Sequence, residues 1–412
     1  MKKSLLTAFA MLVIASAFAA KPPLDHSVYD NWKSVSGLSV QNDGQWARWT
    51  VAPQEGDLVL HLYNVKTGKT YDLERAVGAK ISEDGTKLVY RITPKFQETR
   101  KAKIDKKKPD EMPKDSLGIL DLASGRIDTW PMVKNLRMGD KLNGYVAFQD
   151  ADKPAPKPAP KEKKEEKEGE KPEGKPEKKA EPKDNLYVLD IRTLAVDTIS
   201  CVESFIVSKE GDRIAYITKP DKKDSLHVRG VFLYDPATRT TTEVLSGEKA
   251  ATFKTLSFND EASRLAFFGT LDTAKDAKKS LDLYLYEGGA ARKILSHDSP
   301  KLPKGWKIGD QRAVDFYKDF LTLGTCPIPR EKDTTLVDFE QPKLDIWVWN
   351  DEYIQPVQKN NLRREQNRTY LAKVNFDGSG FVQLADEQIP NVSIDEKNTQ
   401  DYVIVTTDKP YR

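Results

Sequence analysis

Four histidines, two cysteines and many carboxylates are the side chains here with reactive potential, and their spacing limits what they can do. A nucleophilic serine on a strand-to-helix turn carries a Gly-x-Ser-x-Gly pattern, because only a sharp bend exposes its hydroxyl. No such pattern occurs; Gly378-Ser379-Gly380 reads instead as a hairpin turn between strands. His26, His61, His227 and His297 are far apart and match no metal-ligand spacing of the His-Glu-x-x-His kind. His26 follows Asp25, an adjacency that reads as a surface or capping pair at a domain entrance. The glycine patterns that cradle phosphates, GxxxxGK[ST] and GxGxxG, are absent. Carboxylates are so abundant that pairs can be drawn anywhere, which carries no information. The residues therefore nominate no catalytic group, no metal ligand and no cofactor site. Asn367-Arg368-Thr369 and Asn391-Val392-Ser393 fit the N-glycosylation pattern, which short segments also meet by chance.

Cys201 and Cys326 lie in strand-like runs, DTISCVESFIVS and FLTLGTCPIP. They read either as two buried thiols or as a disulfide, and sequence alone does not fix the close Cα approach that a bond requires.

The elements that would carry these groups are set by residues 77–94, VGAKISEDGTKLVYRITP. Two alternating runs flank Ser82-Glu83-Asp84-Gly85, and Asp-Gly between such runs is a strong hairpin signal because Gly takes positive φ without a Cβ clash. Equivalent turns recur at Asn42-Asp43-Gly44, Thr67-Gly68, Ser124-Gly125, Pro236-Ala237-Thr238 and Gly288-Gly289. Hairpins in successive pairs make four-stranded antiparallel sheets, and a series of such sheets is an all-β chain of the β-propeller type. The expected blades run roughly over 37–76, 77–134, 135–199, 200–247, 250–296 and 310–386. Residues 392–406 add what reads as the first hairpin of a further blade, so the ring is expected to be incomplete and prone to self-association. In the sixth blade, LDIWVWNDEYIQPVQ reads as a strand whose Trp347 and Trp349 fill a blade interface. The segment KFQETRKAKIDKKKPDEMPKDS reads as a solvated basic loop.

Lys2 and Lys3 precede an apolar run from Leu5 to about Phe18 that ends in Ala17-Phe18-Ala19. That is the layout of a signal peptide, with cleavage expected between Ala19 and Ala20 and a periplasmic or extracellular destination. A polar lead-in follows over 20–36, and the propeller occupies 37–412. No later apolar run approaches the roughly 18 residues needed to span a bilayer, so no stable membrane anchor is expected. The formal net charge of +3 gives no reason to expect nucleic acid. Residues 153–183 are confined to Lys, Glu, Pro, Ala and Gly, with no side chain able to form a core. Such a stretch is expected to be disordered, and it interrupts one blade without separating two domains.

The signal-type N-terminus, the lead-in LDHSVYDNWKSV, blades of the ISEDGTKLVY type and the run LDIWVWNDEYIQPVQ…NRTYLAKVNF…FVQLAD…TTDKPYR resemble one family. From about residue 24 onward the chain is similar to the N-terminal propeller of exported bacterial peptidases of the prolyl oligopeptidase family, S9. The resemblance implies a propeller that gates peptide substrates for a C-terminal α/β-hydrolase domain carrying Ser, Asp and His. None of those residues has a counterpart here, so the chain by itself is expected to be inactive. Dipeptidyl members also hold the substrate amine with a Glu-Glu pair. The adjacent glutamates here, Glu165-Glu166, lie in the low-complexity run and do not match it. The alternative is a stand-alone TolB-like or WD40-like propeller that binds an envelope ligand.

One expectation follows from composition alone. Replacing residues 151–184 by a short Gly-Ser loop should leave the thermal midpoint nearly unchanged, as read by the melting of near-UV ellipticity. A large drop would show that the segment packs on the blades.

Overall fold

Apolar alternation between Gly-containing turns makes antiparallel hairpins, and these dominate the computed structural model, which describes residues 26–150, 184–220, 228–272, 279–329, 337, 346–395 and 402–411. The first blade is a meander of β1 (Lys33–Val40), β2 (Trp46–Pro53), β3 (Val59–Asn64) and β4 (Thr70–Glu74). β5 (Ala76–Ile81), β6 (Lys87–Ile92), β7 (Asp115–Asp121), β8 (Ile127–Arg137), β9 (Tyr145–Asp150), β10 (Leu186–Asp190) and β11 (Val196–Ile199) follow in one seven-stranded sheet. β8 joins two blades: Ile127–Trp130 pair with β7, and Val133–Arg137 pair with β9. The fourth blade holds β12 (Val202–Val207), β13 (Ile214–Thr218), β14 (Arg229–Asp235) and β15 (Thr240–Gly247). The fifth holds β16 (Thr252–Phe258), β17 (Leu265–Thr270), β18 (Asp282–Tyr286) and β19 (Arg292–Leu295). The sixth is built from β20 (Trp306–Gly309), β21 (Asp315–Phe316), β22 (Phe320–Pro327), β23 (Tyr370–Asn375) and β24 (Val382–Gln383). A two-stranded hairpin, β25 (Asn391–Ser393) with β26 (Ile404–Thr406), closes the described chain. The architecture is all-β, of propeller-type blades in series.

The second strand of each central blade is buried on both faces, and alternation sends its side chains to opposite neighbours. Leu88 and Tyr90 of β6 pack with Trp46, Leu60 and Leu62 of the first blade, while Val89 packs with Val146 and Phe148 of the third. Ile214 and Tyr216 of β13 join Leu186 and Val188, while Ala215 and Ile217 join Phe253 and Phe267 of the fifth blade. Ala266 and Phe268 of β17 pack with Leu321, Leu323, Ala372 and Val374 of the sixth. The core is thus a row of seams between consecutive sheets. A further seam holds Val392 and Ile394 against Tyr370, Leu371 and Ala385.

Four opening strands share one irregularity. β1, β5, β8 and β16 each slip register against the next strand, at Ser36/Ser39, Val77/Lys80, Lys134/Arg137 and Lys254/Ser257. Gly37, Gly78, Asn135 and Thr255 sit at those bulges with φ of 64°, 61°, 52° and 54°. Such a bulge turns a strand more sharply than its neighbours.

Several expectations change. β1 opens at Lys33, inside the stretch read as lead-in, and Ser27–Tyr29 belong to a short 3₁₀ helix over His26–Asn31. The basic excursion after β6 is not an irregular loop throughout, because it folds α1 (Phe96–Ile104) and a 3₁₀ turn over Pro109–Glu111. Ile346–Ile354 form no strand, and Gln355–Gln366 form helix α2. The place beside β22 is filled by β23 from Phe320↔Asn375 to Thr325↔Tyr370, so the Trp-rich run has no ladder to join there. Trp347 and Trp349 are 67% and 95% exposed and fill no blade interface. Ala19, Ala20, His227, Glu165-Glu166 and the run 151–183 lie outside the described residues. No helix among the described residues is long and apolar enough to cross a membrane.

The seam between the fourth and fifth blades offers a direct test. Phe267 is fully buried, stacked on Tyr284 at 5.4 Å and edge-on to Phe253 at 6.1 Å. Phe267→Ala should lower stability by about 3–5 kcal/mol, read from the urea midpoint. A change no larger than that of an exposed substitution would show the seam to be loosely packed.

Candidate functional site

In each four-stranded meander the first and third turns lie at one end and the second connection at the other. Bonds between first turns align successive blades: Glu83 N–H donates to Leu142 O at 3.1 Å, and Lys141 N–H to Lys209 O at 2.9 Å. Ion pairs continue the row, with Lys141–Glu210 at 2.8 Å, Lys209–Asp260 at 2.6 Å and Lys254–Asp310 at 2.5 Å. This turn end is closely joined. Gly139 shows how closely, since an added Cβ would stand 2.5 Å from the Gly211 backbone nitrogen. The third turns also consume their polar groups. Asn64, Asp121, Asp190 and Asp235 each accept backbone N–H groups two or three residues ahead, and Lys87 closes on Asp121 at 2.6 Å. Hydrogen bonds from Lys87 and Ser124 hold the Asp121 carboxyl far below its ordinary range.

The long connections all leave the opposite end, and two of them carry described helices. α2 begins with Pro356 in its first turn, where a missing N–H costs nothing. The helix and the preceding Glu352 and Tyr353 flank a cleft of about 490 Å³ that also reaches Glu387, Gln388 and Lys409. Arg368 forks onto Glu365 at 2.6 Å through two nitrogens, and that hydrogen bonding holds the Glu365 carboxyl below its usual range. Gln358 Nε2 donates to Tyr353 O at 2.7 Å, and Lys409 stands 4.0 Å from Glu352. Burial raises the Tyr370 hydroxyl at the cleft floor. Amides, two aromatic rings, Leu362 and paired charges suit an extended polar chain with apolar side groups. Among the described residues that line the cleft there is no serine, cysteine or histidine.

The residues weighed for chemistry are not brought together. His61 Nδ1 lies 2.7 Å from Asp72 across β3 and β4 and stacks on Trp49 at 5.5 Å. His26 meets Tyr29 edge-on at 5.1 Å. Cys201 is a buried free thiol, and Cys326 is a half-buried one pushed up by burial. Among the described residues no group of His, Cys, Asp and Glu is arranged to hold a metal ion. Asn367 caps α2, and Asn391 opens β25.

Two features escaped the sequence. One is the α2 cleft, whose signal was Pro356 ahead of a run free of β-branched residues, QKNNLRREQ. The other is a buried carboxylate, Asp282, bonded to Lys293 at 2.5 Å and to the His297 ring at 2.6 Å. It imitates an Asp-His dyad, but the Ser296 hydroxyl donates to Asp298 at 2.5 Å and engages no ring nitrogen. Its groups instead fasten the ends of β18 and β19.

No protein-family model matches the chain, and no curated protein matches it at a significant level. Solved structures do. The β-propeller domain of the trilobed protease from Pyrococcus furiosus is 11% identical with a TM-score of 0.36, over 89% of this chain and 90% of that one. The tricorn protease is 11% identical with a TM-score of 0.39, over 95% of this chain and 34% of its own. A prolyl endopeptidase is 11% identical with a TM-score of 0.41, over 91% of this chain and 46% of its own. The chain therefore spans less than half of the latter two proteins. None of these likenesses identifies what it binds.

Asp282 is expected to contribute to the acid limb of stability. Burial raises its carboxyl, but hydrogen bonds from Lys293 and His297 more than offset this and hold it below its ordinary value. A depressed folded pKa contributes stability above the unfolded value, near 4, and that contribution is lost as pH falls through the folded one. Asp282→Asn should cost about 1–3 kcal/mol at neutral pH and flatten the acid limb, as measured by urea unfolding across pH. An unchanged acid limb would exclude Asp282 as its source.

Proposed function

We propose that this chain is the propeller portion of an exported peptidase of the prolyl oligopeptidase type, which admits and positions peptides for an α/β-hydrolase domain. One observation carries the reading. In the stretch that gives the sequence resemblance its specificity, LDIWVWNDEYIQPVQ, the described residues 346–354 contribute no strand to a blade and expose Trp347 and Trp349. Exposed aromatic side chains are what an interaction surface requires, since leaving them in water is unfavourable. Trp347 and Trp349 would meet the hydrolase domain, and the cleft under α2 would pass or hold the peptide backbone. The blades supply no proton transfer and no nucleophile to the reaction. Their part is steric and polar: hairpins joined at the turn end give the loop end a fixed frame, and that frame decides which chains reach the catalytic serine. An N-terminal signal of the type seen here would deliver such a protein to the periplasm or beyond.

The test uses a fluorophosphonate probe on two proteins. The 412-residue chain should remain unlabelled, while the product of the reading frame continued through Arg412 should label at one serine downstream. In that longer protein Trp347→Ala with Trp349→Ala should lower kcat/KM for peptides about tenfold or more while leaving the labelled serine reactive. Labelling within the 412 residues, or a reading frame with no hydrolase sequence after them, overturns the proposal and favours a stand-alone binding propeller.

A further inference from the structure

The segment between β6 and β7 carries an excess of basic side chains. Residues 93–114 hold eight basic side chains against four carboxylates, Glu98, Asp105, Asp110 and Glu111. The segment is folded, and its first end is fastened to the loop before β3. The Phe96 N–H donates to Asp57 Oδ1 at 2.8 Å, Ala102 is buried, and Lys107 N–H returns to Ala102 O at 3.0 Å. Beyond that, Lys114 Nζ donates to Pro109 O at 2.9 Å. What remains outward is Arg100, Lys101, Lys103, Lys106, Lys107 and Lys108, all exposed, with Ile104 among them at 62% exposure. None of these six cations forms an ion pair with a described residue, whereas the neighbouring Lys80, Lys87 and Arg91 on the strands all do.

Six like charges held within two helical turns and a tight turn repel one another. The fold tolerates this only because water and salt screen them. A partner that supplies negative charge relieves the repulsion and releases counterions. The cations sit on long exposed side chains, not around a cleft, so they suit a fluid array of anions better than one shaped ligand. Ile104 adds a single apolar side chain at the same surface, enough to enter a headgroup layer but far short of a span.

We propose that α1 and the turn after it form an electrostatic contact for an anionic lipid surface, taking phospholipid phosphates that carry net negative charge. The contact is peripheral and reversible by salt. It does not depend on the peptidase reading and would hold equally for a stand-alone propeller.

Co-sedimentation of the full chain with phosphatidylglycerol-containing vesicles, against pure phosphatidylcholine vesicles, tests it. Binding is expected only to the anionic vesicles, and raising the salt concentration should abolish it. The triple variant Lys101→Glu, Lys103→Glu, Lys106→Glu should bind roughly a hundredfold or more weakly, since each basic residue near a charged membrane counts for about a factor of five. Lys66→Glu, in a third turn at the opposite end of the first blade, should leave binding unchanged. Equal urea midpoints for triple variant and parent establish that both are folded. Equal binding to both vesicle types, an unaffected triple variant, or binding to heparin without binding to anionic vesicles would each overturn the lipid assignment.

Discussion

Every central sheet in this protein is covered on both faces by the sheets before and after it, and most other features follow from that constraint. A sheet with two buried faces cannot alternate apolar with polar residues, so its strands become continuous apolar runs. β17, with all six residues from Leu265 to Thr270 buried, is the clearest case. Parity then decides which neighbour each side chain meets. A shift of one residue in register would exchange the two seams completely, so the Asp-Gly and Asx-type turns that fix register also fix how blade stacks on blade. The seams lie between blades, and stability is expected to grow with each seam formed, as in other linear arrays.

The two ends of the array show the same rule from its absence. β1 has Val35 and Leu38 at 69% and 75% exposure, and β26 presents Ile404 and Val405 to solvent. These are blade residues by sequence pattern, left bare because no sheet stands on that side of them among the described residues. A strand edge with an apolar face is where a propeller is completed or where chains associate.

The hairpins were legible in the sequence because their information is local. Gly44, Gly68, Gly85, Gly125 and Gly288 all take positive φ at the expected turns, and each turn announces itself within four residues. Blade boundaries were less legible. β8 runs from one blade into the next through Met132 at φ 58° with no turn residue to mark it. The Trp-rich run misled for a physical reason: IWVW has the alternation of a strand, but β23 already occupies the sheet position it would need. Alternation reports only that a segment can present two faces, and whether a ladder is open to receive it is decided elsewhere in the chain. α1 was hidden differently, since Ala102 is its one buried residue and its lysines mask the helical period. The Asp282 cluster joins residues eleven and fifteen apart, and nothing in the local pattern foretells it.

Chemical potential in this fold is divided between the two ends of the strands. At the turn end the reactive groups are already engaged. Lysines and carboxylates link one blade to the next, and Asx side chains close the turns on their own backbone. Along the strands the same holds for His61, which is tied to Asp72, and for His297, which is tied to Asp282. A group whose bonds maintain the fold cannot also serve a substrate without destabilising it. The loop end is organised on the opposite principle. Its connections lie outside the ladders, so their side chains are under no obligation to the sheets: the cations of α1 and the Trp pair face water, and Arg368 and Glu365 satisfy each other beside an open cleft. A protein of this construction has room for long insertions on the second connection of each blade, where they leave register and seams intact. The bonds between successive turns fix the distances between those connections.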